Sequence, residues 1–213
     1  MTALHTFEAP LRFFGVEIGC RMTAIDIDGD LLLHSPIDLD PARLAPLGTP
    51  RWLLAPNRMH HLHAGVWLDR GLEGWAAPGL AEKRADLSFH HVVEEACEPL
   101  GDAVRFIPLR CFSLTNEVVV LHRPSRTLIV TDLVFHFTPE HPWLTRTAMR
   151  CSGAYPGCKA SMLERVGMDR GIAREEIGEL LALDFDRLIP SHGAIIETGG
   201  REALRGAYRW LGL

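Results

Sequence analysis

A mixed α and β fold is predicted by the order of apolar segments along this chain. Short apolar or β-branched runs separated by turn residues fill the first two thirds, and helical spacing dominates the last third. Residues 118–121 and 128–130 are apolar without alternation, which is typical of strands buried on both faces of a layered sheet. Strands that come first, with helices interleaved and at the end, indicate a mixed class.

Six segments are predicted as strands because turn residues bound their apolar runs: residues 21–27, 31–34, 51–55, 117–121, 127–130 and 186–189. The first two form a hairpin, since Asp28-Gly29 between apolar runs is a strong hairpin signal. Pro50 and Pro56 bound the third run, which favours a short buried strand. Pro124 followed by a serine suits a type I turn that joins the fourth and fifth strands.

Helices are predicted mainly toward the carboxyl end: residues 41–47, 88–97, 159–166, 174–183 and a final helix after Gly199-Gly200. Ile177, Leu180 and Leu181 give the i, i+3, i+4 spacing of one apolar helix face. Residues 64–110 carry many glycines and prolines, so most of this stretch is predicted as loop.

The composition indicates one globular domain, residues 1–213. The chain is 47% hydrophobic and 23% charged, with a net charge of −5 and no block of Lys or Arg, which argues against a nucleic-acid partner. Five scattered cysteines indicate free thiols in a reducing compartment. We expect neither a signal peptide nor a membrane-spanning run, because the first ten residues lack a basic start with an apolar core and no apolar run approaches about 20 residues. We therefore expect a cytoplasmic protein without a membrane partner that acts on a small molecule.

A cluster of three histidines carries the strongest chemical signal in the sequence. His60, His61 and His63 follow the predicted strand at residues 51–55. Imidazole is a common metal ligand and acid/base group near neutral pH. Adjacent histidines also occur on solvated loops, so the cluster needs further ligands before it indicates a site.

Two other predicted strands also end in ligand-type residues. Asp132 follows residues 127–130, and His192 follows residues 186–189. Binding sites of layered α/β folds gather where strands give way to loops, so these residues can converge on the histidine cluster. Imidazole nitrogens with a carboxylate describe a catalytic zinc site. The alternatives are that Asp132 is a cap or turn residue and that His192 is a turn residue.

A resemblance to the metallo-β-lactamase fold superfamily rests on three of these segments. Residues 28–33 resemble its opening hairpin, residues 123–132 resemble the strand pair that delivers its metal-bridging aspartate, and residues 186–193 resemble its last ligand histidine. Residues 55–57 with 60–62, residues 116–117 and residues 122–126 resemble more narrowly a divergent branch, a domain-of-unknown-function family. The resemblance implies a four-layer αββα sandwich with the site on one edge.

The histidine cluster departs from the superfamily's first motif, His-x-His-x-Asp-His. Residues 57–65 read Asn-Arg-Met-His-His-Leu-His-Ala-Gly. Aligned on the closing glycine, His60 and His63 match the second and final histidines. Aligned on the strand end, Asn57 takes the first place and His61 falls near the final one. The sequence allows both alignments.

The superfamily's middle ligand histidine is absent from this chain. It would fall near Ser113, and no histidine lies between His91 and His122. A full two-metal site is therefore doubtful. A single metal held by clustered histidines together with Asp132 and His192 remains chemically adequate.

Two functional hypotheses follow. The first is a metal-dependent hydrolase in which metal-bound hydroxide attacks an ester, thioester, amide or phosphoester, with Asp132 in the catalytic centre. One zinc ion is the expected cofactor, and iron or manganese suits the same ligands. Glu117 is a candidate general base, with a structural turn as its alternative. The second hypothesis is a metal-free, catalytically degenerate relative that acts as a binding or interaction module.

Overall fold

Two sheets build the centre of the protein, which a computed structural model describes for residues 3–213. The strands of the amino-terminal half are β1 (Leu4–Ala9), β2 (Arg12–Phe13), β3 (Val16–Glu17), β4 (Cys20–Ile27), β5 (Asp30–His34), β6 (Thr49–Ala55), β7 (Glu73–Ala76) and β8 (His91–Val92). Six of them form the first sheet in the order β1-β4-β5-β6-β7-β8, and β2 pairs with β3 as a separate hairpin. The pairing is antiparallel from β1 to β5 and parallel from β5 to β8.

The second sheet has four strands in the order β14-β11-β10-β9. These strands are β9 (Val104–Pro108), β10 (Val118–His122), β11 (Thr127–Val130) and β14 (Arg187–Pro190). The predicted turn closes the β10-β11 hairpin, with the amide of Arg126 donating to the carbonyl of Arg123 over 3.0 Å. β14 runs parallel to β11, so both strands end at the same edge. A small pair, β12 (Phe135–Phe137) and β13 (Gly157–Lys159), lies outside this sheet.

The helices of the described residues are α1 (Ala64–Leu68), α2 (Leu80–Lys83), α3 (Trp143–Cys151), α4 (Met162–Gly167), α5 (Arg170–Ala182) and α6 (Gly200–Ala207), with short 3-10 turns at Pro41–Arg43 and Arg209–Leu211. Ser161 and Asp169 cap α4 and α5 by accepting hydrogen bonds from backbone amides of the first turn. Within the described residues, none of these helices has the length and apolar character needed to span a membrane.

Three apolar clusters show how the layers pack. Between the sheets, Ile25 and Leu54 meet Phe106, Val120 and Ile129. On the outer face of the second sheet, strand residues pack against α5 and α6. On the outer face of the first sheet, they pack against α1 and α2. The four layers confirm the predicted αββα sandwich.

The predicted strands and the last helices are confirmed with small shifts of their ends, and all five cysteines are free thiols. The helix predicted over residues 88–97 is wrong, because this segment contains β8, the edge strand of the first sheet. His91 pairs with Trp75 and stacks on its ring, with ring centroids 4.7 Å apart. The segment predicted as a helix over 41–47 shortens to the 3-10 turn at Pro41–Arg43.

Candidate metal centre

The ends of three strands meet at one edge of the sandwich. β11 and β14 are parallel neighbours, and Asp132 and His192 each lie two residues after the last residue of their strand. The loop after β6 is tied to the second sheet because the amide of Val118 donates to the carbonyl of Pro56 over 2.7 Å. That loop carries His60 to the same edge. Residues distant in sequence therefore share one site because the parallel strands end together.

His60, Asp132 and His192 form a compact triangle of possible metal ligands. The two Nε2 atoms of the histidines lie 3.1 Å apart. The Nε2 of His60 lies 3.5 Å from one carboxylate oxygen of Asp132, and the Nε2 of His192 lies 3.4 Å from the other. All three side chains therefore point at a common centre.

Each histidine is oriented by a contact at its Nδ1 atom. The Nδ1 of His192 donates to the carbonyl oxygen of Gly19 over 2.6 Å, which leaves its Nε2 as the lone-pair nitrogen. The Nδ1 of His60 lies 2.8 Å from the hydroxyl oxygen of Ser35. Ser35 adopts a left-handed backbone with φ of 54° to reach this position. Contacts of this kind fix ring orientation at metal sites.

Asn57 links the histidine loop to the aspartate. Its side-chain amide donates to the hydroxyl of Thr131 over 2.9 Å and to the carboxylate of Asp132 over 2.7 Å. Its carbonyl oxygen accepts from the backbone amides of Met59 and His60. This buried side chain therefore uses all its hydrogen-bonding capacity to hold two members of the triangle together.

Glu117 stabilises the backbone that carries Asp132. Its carboxylate accepts from the backbone amides of Thr131, Asp132 and Leu133 at 2.6, 2.8 and 2.8 Å. Burial and the charge of Asp132 raise the pKa of Glu117 to about 8, against the lowering effect of these bonds. Burial also acts to raise the pKa of Asp132, but His60 and His192 hold it well below its usual range. The oxygens of Glu117 thus accept from backbone amides on both sides of Asp132, and its role as general base stays a prediction.

The three side chains approach one another at about the spacing of ligands in a tetrahedral metal site. Metal–nitrogen bonds of about 2.0–2.1 Å at tetrahedral angles place neighbouring ligand atoms about 3.3 Å apart. The closest approaches between the side chains are 3.1, 3.4 and 3.5 Å, and the last two end on different carboxylate oxygens of Asp132. One atom from each side chain lies within 4.8 Å of the other two. The residues present therefore fit one metal ion with three protein ligands.

The other two clustered histidines lie outside the triangle. The Nδ1 of His61 accepts from the guanidinium of Arg84 over 2.8 Å. Burial and the charges of Lys83 and Arg84 lower the pKa of His61. His63 precedes α1 and lines a small cavity of about 60 Å³ that also contacts His60 and Ser35. The structure thus brings together one of the three predicted histidines with Asp132 and His192.

A fully buried histidine, His34, lies at the end of β5 behind this site. Neither ring nitrogen of His34 has a hydrogen-bond partner among the described residues. Burial and the charge of His60 lower the pKa of His34 to about 3. The folded protein thus keeps this ring neutral in acid, whereas the unfolded chain takes up a proton below about pH 6.5.

We expect His34 to make the fold acid-sensitive between pH 6.5 and pH 3, because the unfolded state alone binds a proton there. Protonation of this residue in the unfolded state should lower the free energy of unfolding by about 2 kcal/mol between pH 7 and pH 5. The variant H34L should not show this fall in unfolding free energy. Urea unfolding in EDTA at both pH values measures the difference, and an unchanged pH slope in H34L would contradict the assignment.

The glycine after His192 is required by its surroundings. Gly193 has φ of +86°, and a Cβ atom there would overlap the carbonyl oxygen of His136. Gly199 has a similar φ of +74° but open space around its Cβ position. The two glycines thus share a left-handed backbone conformation, which would strain any other residue, and they differ in steric contact.

We expect G193A to lose about 2–4 kcal/mol of unfolding free energy, since overpacking adds to the left-handed strain. The matched control G199A loses only the strain, about 1–2 kcal/mol. Urea unfolding of both variants checks the comparison, and equal losses would show that the contact with His136 relaxes freely.

Comparisons with solved structures identify the class of fold. A metallo-β-lactamase from Pontibacter korlensis matches with a TM-score of 0.67 at 12% identity, covering 98% of this chain and 94% of that chain. The mono-zinc form of the metallo-β-lactamase FIM-1 from Pseudomonas aeruginosa matches with a TM-score of 0.67 at 13% identity, covering 98% and 91%. The chemotaxis sensor ODP with a peroxy diiron species has a TM-score of 0.63 at 15% identity, covering 92% and 88%.

This protein therefore has the metallo-β-lactamase fold, as its sequence motifs indicated. Within that fold it presents a particular group of three possible ligands, His60, Asp132 and His192. Asn57 lies at the strand end beside Asp132, where one of the two alignments places the first histidine. No model of a known protein family and no curated protein sequence matches the chain.

Sequence reasoning missed three residues that support the site: Gly19, Arg21 and Ser35. Gly19 and Ser35 act on the two histidines at their Nδ1 atoms. The left-handed backbone of Ser35 has no sequence signal, because serine seldom adopts it. The contribution of Gly19 is a carbonyl oxygen, which every residue type carries. Only the fold reveals such contacts.

Proposed function

We propose that this protein is a hydrolase that holds one metal ion between His60, Asp132 and His192. The observation that carries the proposal is the convergence of these three side chains, each of which places a possible ligand atom within 4.8 Å of the other two. Zinc is the first candidate, and iron or manganese suits the same nitrogen and oxygen ligands. When bound, such a metal polarises a carbonyl or phosphoryl oxygen and lowers the pKa of water.

The residues around the triangle supply the remaining requirements of such a site. His60 and His192 present Nε2 to the centre, while Asn57 and Glu117 hold Asp132 in place. Three protein ligands leave a fourth position open, which is the arrangement of catalytic zinc sites. An ester, thioester, amide or phosphoester is the proposed substrate class.

Metal analysis tests this proposal directly. We expect protein purified without added metal, then loaded with zinc and desalted, to retain about one equivalent. Less than about a tenth of an equivalent, with no recovery on adding zinc, manganese or iron, would overturn the proposal, because folded ligands that are preorganised should bind. Zinc-dependent cleavage of nitrophenyl acetate and bis-nitrophenyl phosphate, abolished by chelation, tests the reaction class.

A metal-free binding module is the second candidate, and one observation favours it. A separation of 3.1 Å between two imidazole nitrogens is also a normal hydrogen-bond distance if one of them carries a proton. Asn57 also stands where one alignment places a ligand histidine. This candidate predicts that H192A and D132A leave thermal stability nearly unchanged. A loss of several degrees on chelation of the purified protein would contradict it.

A further inference from the structure

We propose that Arg21 is the positioning residue that fixes His192 for metal binding, an inference that rests on the proposed function. Arg21 lies at the start of β4, across from the loop that follows β14. Its guanidinium donates to the carbonyl oxygens of Pro190 and Gly193. These two carbonyls flank Ser191 and His192, so one side chain holds the loop on both sides of the ligand.

The start of β4 contacts the His192 loop at several points. The carbonyl of Gly19 accepts from the Nδ1 of His192 over 2.6 Å, two residues before Arg21. The hydroxyl of Ser191 lies 3.4 Å from the backbone carbonyl of Arg21. One contact sets the rotation of the imidazole ring, and the guanidinium sets the path of the backbone that carries it. Both must hold for Nε2 to face Asp132.

Burial explains why an arginine is needed at this position. The Arg21 side chain is only 5% exposed, and Glu8, 2.5 Å away, is its one carboxylate partner among the described residues. Its Nη1 donates to Pro190, while its Nη2 donates to Gly193 and Glu8. A planar guanidinium can reach separate acceptors from two fixed nitrogens, whereas a lysine ammonium is a single point on a flexible stem. Lysine should therefore keep the charge and lose the double contact.

Loss of the two contacts that Arg21 makes with the carbonyls of Pro190 and Gly193 should reduce metal affinity, because it changes the geometry of His192. Partners that orient ligands typically change metal affinity by about 10- to 100-fold when removed. We expect R21K to bind Co²⁺ about 10-fold or more weakly than the parent protein. Its visible absorption bands should also change, since they report ligand geometry. The control variant E8Q removes the charge of Glu8, which is 70% exposed, and leaves both carbonyl contacts of Arg21 in place. Its Co²⁺ affinity should therefore stay within about threefold of the parent, because the glutamine oxygen can still accept from the guanidinium.

Two readouts separate this inference from the proposed function. Co²⁺ titration is performed on full-length parent, R21K and E8Q at a temperature where near-ultraviolet circular dichroism shows all three folded. Nitrogen-15 NMR of the metal-free proteins, with the His192 signal assigned by its absence in H192A, reports the ring tautomer. The parent should show the single tautomer protonated at Nδ1, and R21K a mixture.

The outcomes are distinct. A parent that binds no Co²⁺, Zn²⁺, Mn²⁺ or Fe²⁺ overturns the proposed function and with it the role of Arg21 in metal binding. Parent binding with equal affinity and an unchanged His192 tautomer in R21K overturns the inference alone. Equal losses of Co²⁺ affinity in E8Q and R21K would also overturn the inference. The cause would then be the ion pair with Glu8 and not the contacts of Arg21 with the two carbonyls.

Discussion

The variant E117A should lose about 4 kcal/mol of unfolding free energy at pH 5. Glu117 is 3% exposed, and its removal leaves the amides of Thr131, Asp132 and Leu133 without their acceptor. Each unsatisfied buried amide costs about 1–3 kcal/mol, and water entering the space recovers part of that loss. Urea unfolding in EDTA measures the difference without a contribution from bound metal.

The deficit of E117A should shrink as the pH rises. The pKa of Glu117 is raised from 4.5 to about 8 in the folded protein, so the folded state binds more protons than the unfolded state in this window. Its stabilising contribution is thus fully present below pH 4.5 and is lost as the pH rises through 8. We expect the parent to lose about 3 kcal/mol relative to E117A between pH 5 and pH 8.

Glu176 provides a matched control for the effect of Glu117 on the site. Its buried carboxylate also accepts from backbone amides, those of Arg110 and Cys111, at 2.9 and 3.0 Å. E176A should therefore lose stability without losing zinc affinity, whereas E117A should lose both because it frees Asp132. Equal zinc affinity of E117A and parent would show that Asp132 keeps its position without this support.

The central strands were predictable because their local signals agree with the tertiary structure. Asp28-Gly29 between apolar runs closes the β4-β5 hairpin. Pro50 is the second residue of β6, and Pro56 directly follows its last residue. The missed elements lack such signals. β7 is the short segment Glu73–Ala76, and it becomes a strand because β6 and β8 pair with its two sides. Pairing of this kind is decided by distant residues, which local patterns do not report.

The ligand triangle was predictable in part for the same reason. Asp132 and His192 each lie two residues after the end of a buried strand, so the direction of the strand defines their place. His60 lies within a loop, and three neighbouring histidines could reach the edge. The contacts of Asn57 with the amide of His60 and of Ser35 with its ring select that histidine. These contacts depend on loop conformation rather than on spacing in the sequence.

Substitution of the triangle should have the largest effect on zinc binding. D132N and H192Q each remove one of three ligands, so we expect zinc affinity to fall by more than about 100-fold, beyond the usual effect of residues that only orient ligands. In the parent, zinc at about 100 times its dissociation constant should add about 2.7 kcal/mol of stability. The two variants should show little of this gain. Competition with a chromophoric chelator and zinc-dependent thermal unfolding measure both quantities.

The clustered histidines give this experiment an internal control. H60Q should lose zinc as D132N does, whereas H61Q and H63Q should stay within about threefold of the parent, because both rings lie outside the triangle. His61 instead accepts a hydrogen bond from Arg84. H61Q therefore makes the same substitution as H60Q at a position beside the site. Loss of zinc in H61Q or H63Q with retention in H60Q would assign the ligand to another ring. Retention in all three, with loss in D132N, would leave the metal dependent on the aspartate and His192 alone.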